Sequence, residues 1–299
     1  VTLLRPMLTI SRAEAEAIAA EYRKELDAGY AATRVNEPLG ESPAQPAVWR
    51  AVERANEADL LAPVDTGAPE PELKRLGELI CSLPAECAPH HKVAQFYQTR
   101  WRSIETGLDI NFATAEALAF ASLLHEGHSI RLSGQDCVRG TFSQRHLGVH
   151  DVAGGAAAMP IANACRDGST FEAINSPLIE YAVLGFEYGV SLADPSRLVL
   201  WEAQFGDFLN GAQIAFDQYI ATAEFKWGLM SGLVVLLPHG LEGQGPDHSS
   251  ARIERLLQSC ADGNMVVATP TTPANLFHLL RRQILAPWRK PLFVASPKS

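Results

Sequence analysis

The sequence predicts a doubly wound α/β fold with a mostly parallel sheet, preceded by a helical and loop-rich arm. Three observations carry this. From Phe112 onward, short continuous apolar runs alternate with helix-length segments, the pattern of strands buried on both faces. Residues 1–110 lack that rhythm and break into helices and Pro/Gly-rich connections. The unusual polar residues fall in loops directly after the apolar runs, where parallel sheets place their sites. The expected domains are 1–110, a helical and irregular linker region, and 111–299, the α/β domain.

Each element has its own signal. Ser11–Gly29 opens on an N-cap Ser, carries acids early and closes on Gly. Gly40 to Pro71 is rich in Pro, Gly, Ala and Glu and reads as irregular connection, and Glu72–Leu83 and His91–Ile104 read as helices. Ala113–Gly127 is a helix, His128–Gly134 a strand, and a second strand ends at Asn175. Leu178–Asp194 is a helix, Arg197–Gln204 a strand and Phe208–Phe225 a helix. Gly232–Pro238 is a strand, Ser249–Ala261 a helix and Asn264–Pro270 a strand. Pro273–Leu285 is a helix and Pro291–Ser296 the last strand.

Composition narrows the function classes. The net charge of −9 argues against a nucleic-acid partner. No apolar run approaches the ~20 residues that span a bilayer. Cys81, Cys87, Cys137, Cys165 and Cys260 are odd in number and lack C-x-x-C spacing, which suits a reducing compartment and argues against a disulfide framework or structural zinc. The start, VTLLRPMLTI, has neither an initiator Met nor a signal-peptide pattern, and a fragment is expected.

Four loops hold the chemistry. HGLEGQGPDH, His239 to His248, follows a strand. Gly243-x-Gly245 begins a dinucleotide fingerprint, but His248 stands at the third glycine position and no acid follows the next strand, so nicotinamide binding is rejected. A helix starting at Ser249 would put His248 at its N-terminus, where an imidazole is pushed toward neutral and can exchange protons with an anionic ligand. The alternative is that a serine caps the helix and His248 packs. Glu180 begins an apolar helix among Leu178, Ile179, Val183, Leu184 and Phe186, surroundings in which a carboxyl needs a partner or a proton. The alternative there is a solvated first-turn acid, and Glu187 shares its face. Phe205 and Phe208 end a strand and can stack on a planar heterocycle or simply fill the core. Glu202 and Asp207 add carboxylates, and Trp201, Glu202 and Gln204 are too polar for simple burial. Ser133–His146 offers Gln135, Asp136, Arg139, Arg145 and His146. These can hold a dicarboxylate or an anionic cofactor group, or tie the loop to Asp136 and Asp151.

Together the stretches RLSGQDCVRGTFSQRH, EYAVLGFEYG, VLWEAQFGDFLNGAQIAFDQ, LLPHGLEGQGPDHSSARIERLLQ and TPANLFHLLRRQI, with RKPLFVASPKS, resemble the decarboxylating, thiamine-diphosphate-dependent component of 2-oxoglutarate dehydrogenase, bacterial type. The resemblance runs from Ala113 to Ser299 and is more compositional from Ser11 to Gln95. It implies a thiamine-diphosphate-fold pyrimidine-binding domain. It implies that Glu180 contacts N1′ of the aminopyrimidine and so promotes deprotonation of the thiazolium carbon, with Phe205 and Phe208 beside the ring. His248 would serve in substrate protonation and acyl transfer to lipoamide. His239, Gln135, Asp136, Arg145 and His146 are substrate-side candidates. The family's diphosphate and Mg2+ motif has no counterpart in residues 1–110, so no metal ligand is expected in this chain.

The implied activity is oxidative decarboxylation of 2-oxoglutarate with succinyl transfer, in the tricarboxylic acid cycle. The implied partners are a second copy in a homodimer, the lipoyl-bearing dihydrolipoamide succinyltransferase and dihydrolipoamide dehydrogenase. Neither nucleic acid nor membrane is expected. The implied location is the bacterial cytoplasm, or the mitochondrial matrix in a eukaryote. Two alternatives stay open: a 2-oxoadipate enzyme, or a non-catalytic scaffold piece with a vestigial site.

Overall fold

The computed structural model describes residues 10–34, 47–155, 157–166, 168–243 and 245–298. It divides into two compact units, Val1–Ala44 and Gln45–Ser299. The first holds α1, Arg12–Arg34. Its start is a reciprocal cap: the Glu14 N–H donates to Ser11 Oγ at 3.2 Å, and the Ser11 N–H donates to the Glu14 carboxylate at 2.6 Å. The helix passes through Gly29, where the sequence suggested an end. One glycine costs a helix only about 1 kcal/mol, and Ala28, Ala31 and Ala32 around it are strong helix formers. Of the expected irregular connection, residues 40–46 lie outside the described residues.

The second unit begins with a 3-10 turn at Ala47–Ala51, then α2 (Glu57–Leu61), α3 (Glu70–Cys81), α4 (His91–Thr106) and α5 (Phe112–His125). The helix ends follow from their residues: Asn56 and Asn111 cap α2 and α5, and Gly107 closes α4 in the left-handed conformation. There follow β1 (Ile130–Gly134), β2 (Phe171–Asn175), α6 (Glu180–Ala193), β3 (Leu198–Glu202), α7 (Gln213–Ala215) and α8 (Ala223–Trp227). The chain continues through β4 (Val234–Pro238), α9 (Ile253–Gln258), β5 (Val266–Ala268), α10 (Pro273–Leu285) and β6 (Leu292–Ser296).

The six strands form one sheet in the order β2-β1-β3-β4-β6-β5, with every neighbouring pair parallel. Strand alternation splits the apolar residues between two faces. Ile130, Leu132, Leu198, Leu200, Val234, Leu236, Leu292 and Val294 share a core with α5 and α10. Leu76, Ile80 and Ile104 bring α3 and α4 into that same core, so residue 110 lies inside this unit. Val199, Trp201, Val235, Leu237 and Phe293 face the other way, toward α6, Phe216 and α9. Trp201, expected at a site rim, is 1% exposed and fills this second core. The chain leaves β1 for β2 on one side and returns to β3 on the other, so the loops after β1 and β3 flank a topological switch point.

Candidate active site

Beyond β3 the chain does not form the single helix expected over Phe208–Phe225. It makes a 3-10 turn (Gly206–Ala212), the short α7, a π turn (Phe216–Ile220) and α8. Gly206, Asn210 and Gly211 are poor helix formers, and packing then sets the local path. That packing is close. A Cβ at Gly206 would stand 2.7 Å from Ala251 Cβ and 2.8 Å from the Pro238 carbonyl oxygen, so this turn presses directly on the segment after His248. The adjacent Asp207, 9% exposed, accepts the Ser249 N–H at 3.3 Å and the Ser250 N–H at 3.1 and 3.2 Å.

Those bonds correct the expected helix start. Ser249 and Ser250 cap nothing; α9 begins at Ile253, after Arg252 in a left-handed conformation (φ 52°). The two serine amides go to the Asp207 carboxylate instead of into a helix, so His248 sits on a loop and not at a helix N-terminus. The loop is shaped by Gly243 (φ 107°) and Gly245 (φ 99°), a region that favours glycine. The Lys298 ammonium, 3% exposed, donates to the carbonyl oxygens of Gly240 at 2.9 Å, Glu242 at 2.6 Å and His248.

The rings converge at this point. His248 stacks on Phe205 with centroids 4.1 Å apart and planes 25° apart, and meets Phe208 edge-on at 6.2 Å. Phe205 is also edge-on to Phe208 and Phe142, each at 5.6 Å. Phe142 and Lys298 are the members that sequence reasoning passed over. Both lie in stretches already singled out, RGTFSQRH and SPKS, but nothing local distinguishes them.

Glu180 is the first residue of α6 and is half-buried. A Cβ at Gly211 would lie 3.3 Å from its Oε2, so the missing side chain at 211 leaves the carboxylate its room. Among the described residues this carboxylate has no hydrogen-bond or ion-pair partner. Its expected apolar surroundings are closed on one side only: Val183 and Leu184 are buried, but Leu178, Ile179 and Phe186 are 51%, 64% and 56% exposed. The buried acid of α6 is Glu187, 1% exposed and held by both Arg131 Nε (2.8 Å) and Nη2 (3.0 Å).

The remaining candidates take other positions. His239 accepts the Ala251 N–H on Nδ1 at 3.0 Å, which leaves its own proton on Nε2. Arg145 is buried and holds its loop, not through Asp136 or Asp151, but through Glu116 (2.6 and 3.1 Å) and Glu202 (2.7 Å at Nη1). His146 packs on Phe96 at 4.8 Å, and burial, then Arg100 and Arg139, hold its pKa below the usual histidine value. Gln135 and Asp136 are exposed on the turn after β1, with Asp136 at φ 55° and 3.9 Å from Arg139. Among the described residues no group of three or more His, Cys, Asp or Glu is placed to hold a metal ion, and no helix is long and apolar enough to cross a membrane.

Residues 109–299 match the transketolase pyrimidine-binding domain. The chain belongs to that family. It is 48% identical over 290 residues to the 2-oxoglutarate dehydrogenase E1 components of Brucella canis, Brucella abortus and Brucella ovis, covering 97% of this chain. It spans 29% of the length of those relatives. A pyrimidine-binding domain of this thiamine-diphosphate-dependent family needs an acid at the edge of an aminopyrimidine and an apolar surface against its face. Glu180 beside Gly211 offers the first, and Phe205 with Phe208 the second, so the residues present fit the group.

Proposed function

We propose that this chain is the cofactor-activating part of a 2-oxoglutarate dehydrogenase E1 component, which decarboxylates 2-oxoglutarate and passes the succinyl group to lipoamide. The carrying observation is Glu180: a carboxylate at the start of α6, given room by Gly211 and without a partner among the described residues, on the element that packs against the Phe208 turn. The reading places thiamine diphosphate against these side chains, and its diphosphate with Mg2+ on other segments of the E1 component.

Thiamine diphosphate, when bound, supplies the carbon nucleophile and the electron sink for loss of CO2. The residues of this chain do the rest. Glu180 shares a proton with the pyrimidine ring nitrogen. Phe205, Phe208 and Phe142 exclude water and present ring faces to the heterocycle. His248 gives and takes protons on the substrate side, its ring oriented by the stack on Phe205. Buried Arg145 supports the loop that carries Phe142.

The reading includes a homodimer that meets a lipoyl-bearing succinyltransferase and dihydrolipoamide dehydrogenase. The exposed Ile179 just before α6 and Tyr181 and Phe186 within it, with Ile214 (67% exposed) and Phe225 (94%), are the kind of apolar surface a second subunit covers. The test is Glu180→Gln with all segments of the E1 component present. Turnover of 2-oxoglutarate should fall about 10²–10⁴-fold, the span of general acid–base catalysis, while thiamine diphosphate stays bound. Near-normal turnover would remove the role given to Glu180.

A further inference from the structure

Lys298 has no part in the reaction as argued so far, yet its surroundings are specific. An ammonium carries three N–H donors, and the Gly-rich loop turns three carbonyl oxygens onto this one: Gly240, Glu242 and His248. The loop is therefore wound around a single cation. The cation lies 5.9 Å from the ring centres of both Phe142 and Phe205. Burying an ammonium is costly without compensating charge. Here the compensation comes from the three carbonyl dipoles; Glu116, Arg145 and Glu202, which line the same small cavity, are paired with one another.

His248 is thus fixed from both sides along the backbone. Its own carbonyl goes to Lys298, and the next two amides go to Asp207. Its ring lies on Phe205, one of the two rings the ammonium faces. We propose that Lys298 is a positioning residue for His248, holding the loop carbonyls so that the imidazole stays in one stacked orientation on Phe205. The proposal rests on the reading of His248 as the proton-transfer group. A guanidinium cannot replace the ammonium, because its planar fork does not reach three carbonyls arranged around a point.

The direct test uses the chain labelled with 13C-histidine, with the His248 ring signal assigned through His248→Gln. Stacking at 4.1 Å moves that signal upfield. In Lys298→Met and Lys298→Arg the signal should move downfield to the position of an unstacked imidazole, while the signals of His128 and His278, which have their partners outside this loop, stay. Loss of overall structure would move all three together. An unmoved His248 signal in a folded Lys298→Met chain overturns the proposal. A second measurement needs no variant. Under an amine-methylating reagent, native Lys298 should resist modification far longer than Lys92, and equal rates for the two would also overturn it.

Catalysis separates this from the functional reading. In the E1 component, Lys298→Met should lower kcat and leave KM nearly unchanged. Adding Lys298→Met to His248→Ala should cost nothing further, whereas an additional loss means Lys298 does not act through His248. Full turnover in His248→Ala alone would sink the catalytic role of that histidine and leave the ring-signal result to decide the clamp.

Discussion

Asp207 accepts amide protons from Ser249 and Ser250, 42 and 43 residues further along the chain. In the sequence it is one more acid after a strand, and local pattern says nothing of a partner so distant. Lys298 and its loop carbonyls, 50 to 58 residues apart, were hidden for the same reason. What the sequence did show was residue type: Phe205, Phe208 and His248 stood out, and they meet. Asp207→Ala should leave two amides without an acceptor at about 1–3 kcal/mol for each one kept from water, read as a lower midpoint in chemical denaturation. Asp207→Asn keeps one acceptor oxygen and should lose less. Gly211→Ala tests the room left to Glu180. A Cβ 3.3 Å from Oε2 has to displace the carboxylate, so turnover should drop with little change in stability. Equal losses in both would show that the site is not what the methyl group disturbs.

Element by element, the sheet was readable because β3, β4, β5 and β6 are largely apolar runs of five residues or fewer between turn signals. The helices with strong caps were also close to their expected spans; α10 begins and ends where Pro273 and Leu285 suggest. Apart from the run of α1 through Gly29, the larger errors fall where tertiary contacts override local preference, at the broken helix after Phe205 and the late start of α9. Burial was the harder inference. Glu180 and Glu187 share a helix, and the sequence does not say which one Arg131 will claim. Likewise Arg145 looked like a ligand for an anion, but its guanidinium is already committed between Glu116 and Glu202. Breaking such a buried pair on one side costs about 3–5 kcal/mol. Glu202→Gln should therefore lower the denaturation midpoint clearly, because it leaves β3 and the 134–146 loop joined by a weaker contact. A loss no larger than that of an exposed pair such as Arg12–Glu16 would show that the Arg145 cluster carries little of the fold.

Over the whole second unit, two histidines tie stability to pH. Burial is the main cause that lowers the pKa of His128 below the usual histidine value, with Glu126 opposing and Arg289 and Arg281 adding to it. Burial also leads for His146, followed by Arg100 and Arg139. Their folded values are thus lower than those of the unfolded chain. As pH falls through the unfolded value, the unfolded chain takes up these protons first, and stability declines with it. The contribution is complete above the unfolded value and is gone once pH has dropped through the folded values. Carboxylates such as Glu70 and Glu72, held below the usual carboxylate range by hydrogen bonds from Lys74 and Arg75, act in a separate and more acidic window. The thermal midpoint should therefore fall on acidification from neutrality before any carboxylate titrates. A His128→Gln/His146→Gln chain should show a flatter midpoint between neutral pH and the carboxylate range. His146 lies on the loop of Phe142 and packs on Phe96 of α4, so the same protonation should loosen that loop at lower temperature than the sheet. Hydrogen exchange at mildly acidic pH reads this directly. Faster exchange for Leu147 and Val149 amides than for Leu200 and Val235, lost in the double variant, is the expected outcome; an unchanged pH slope in that variant would assign the acid sensitivity to other groups.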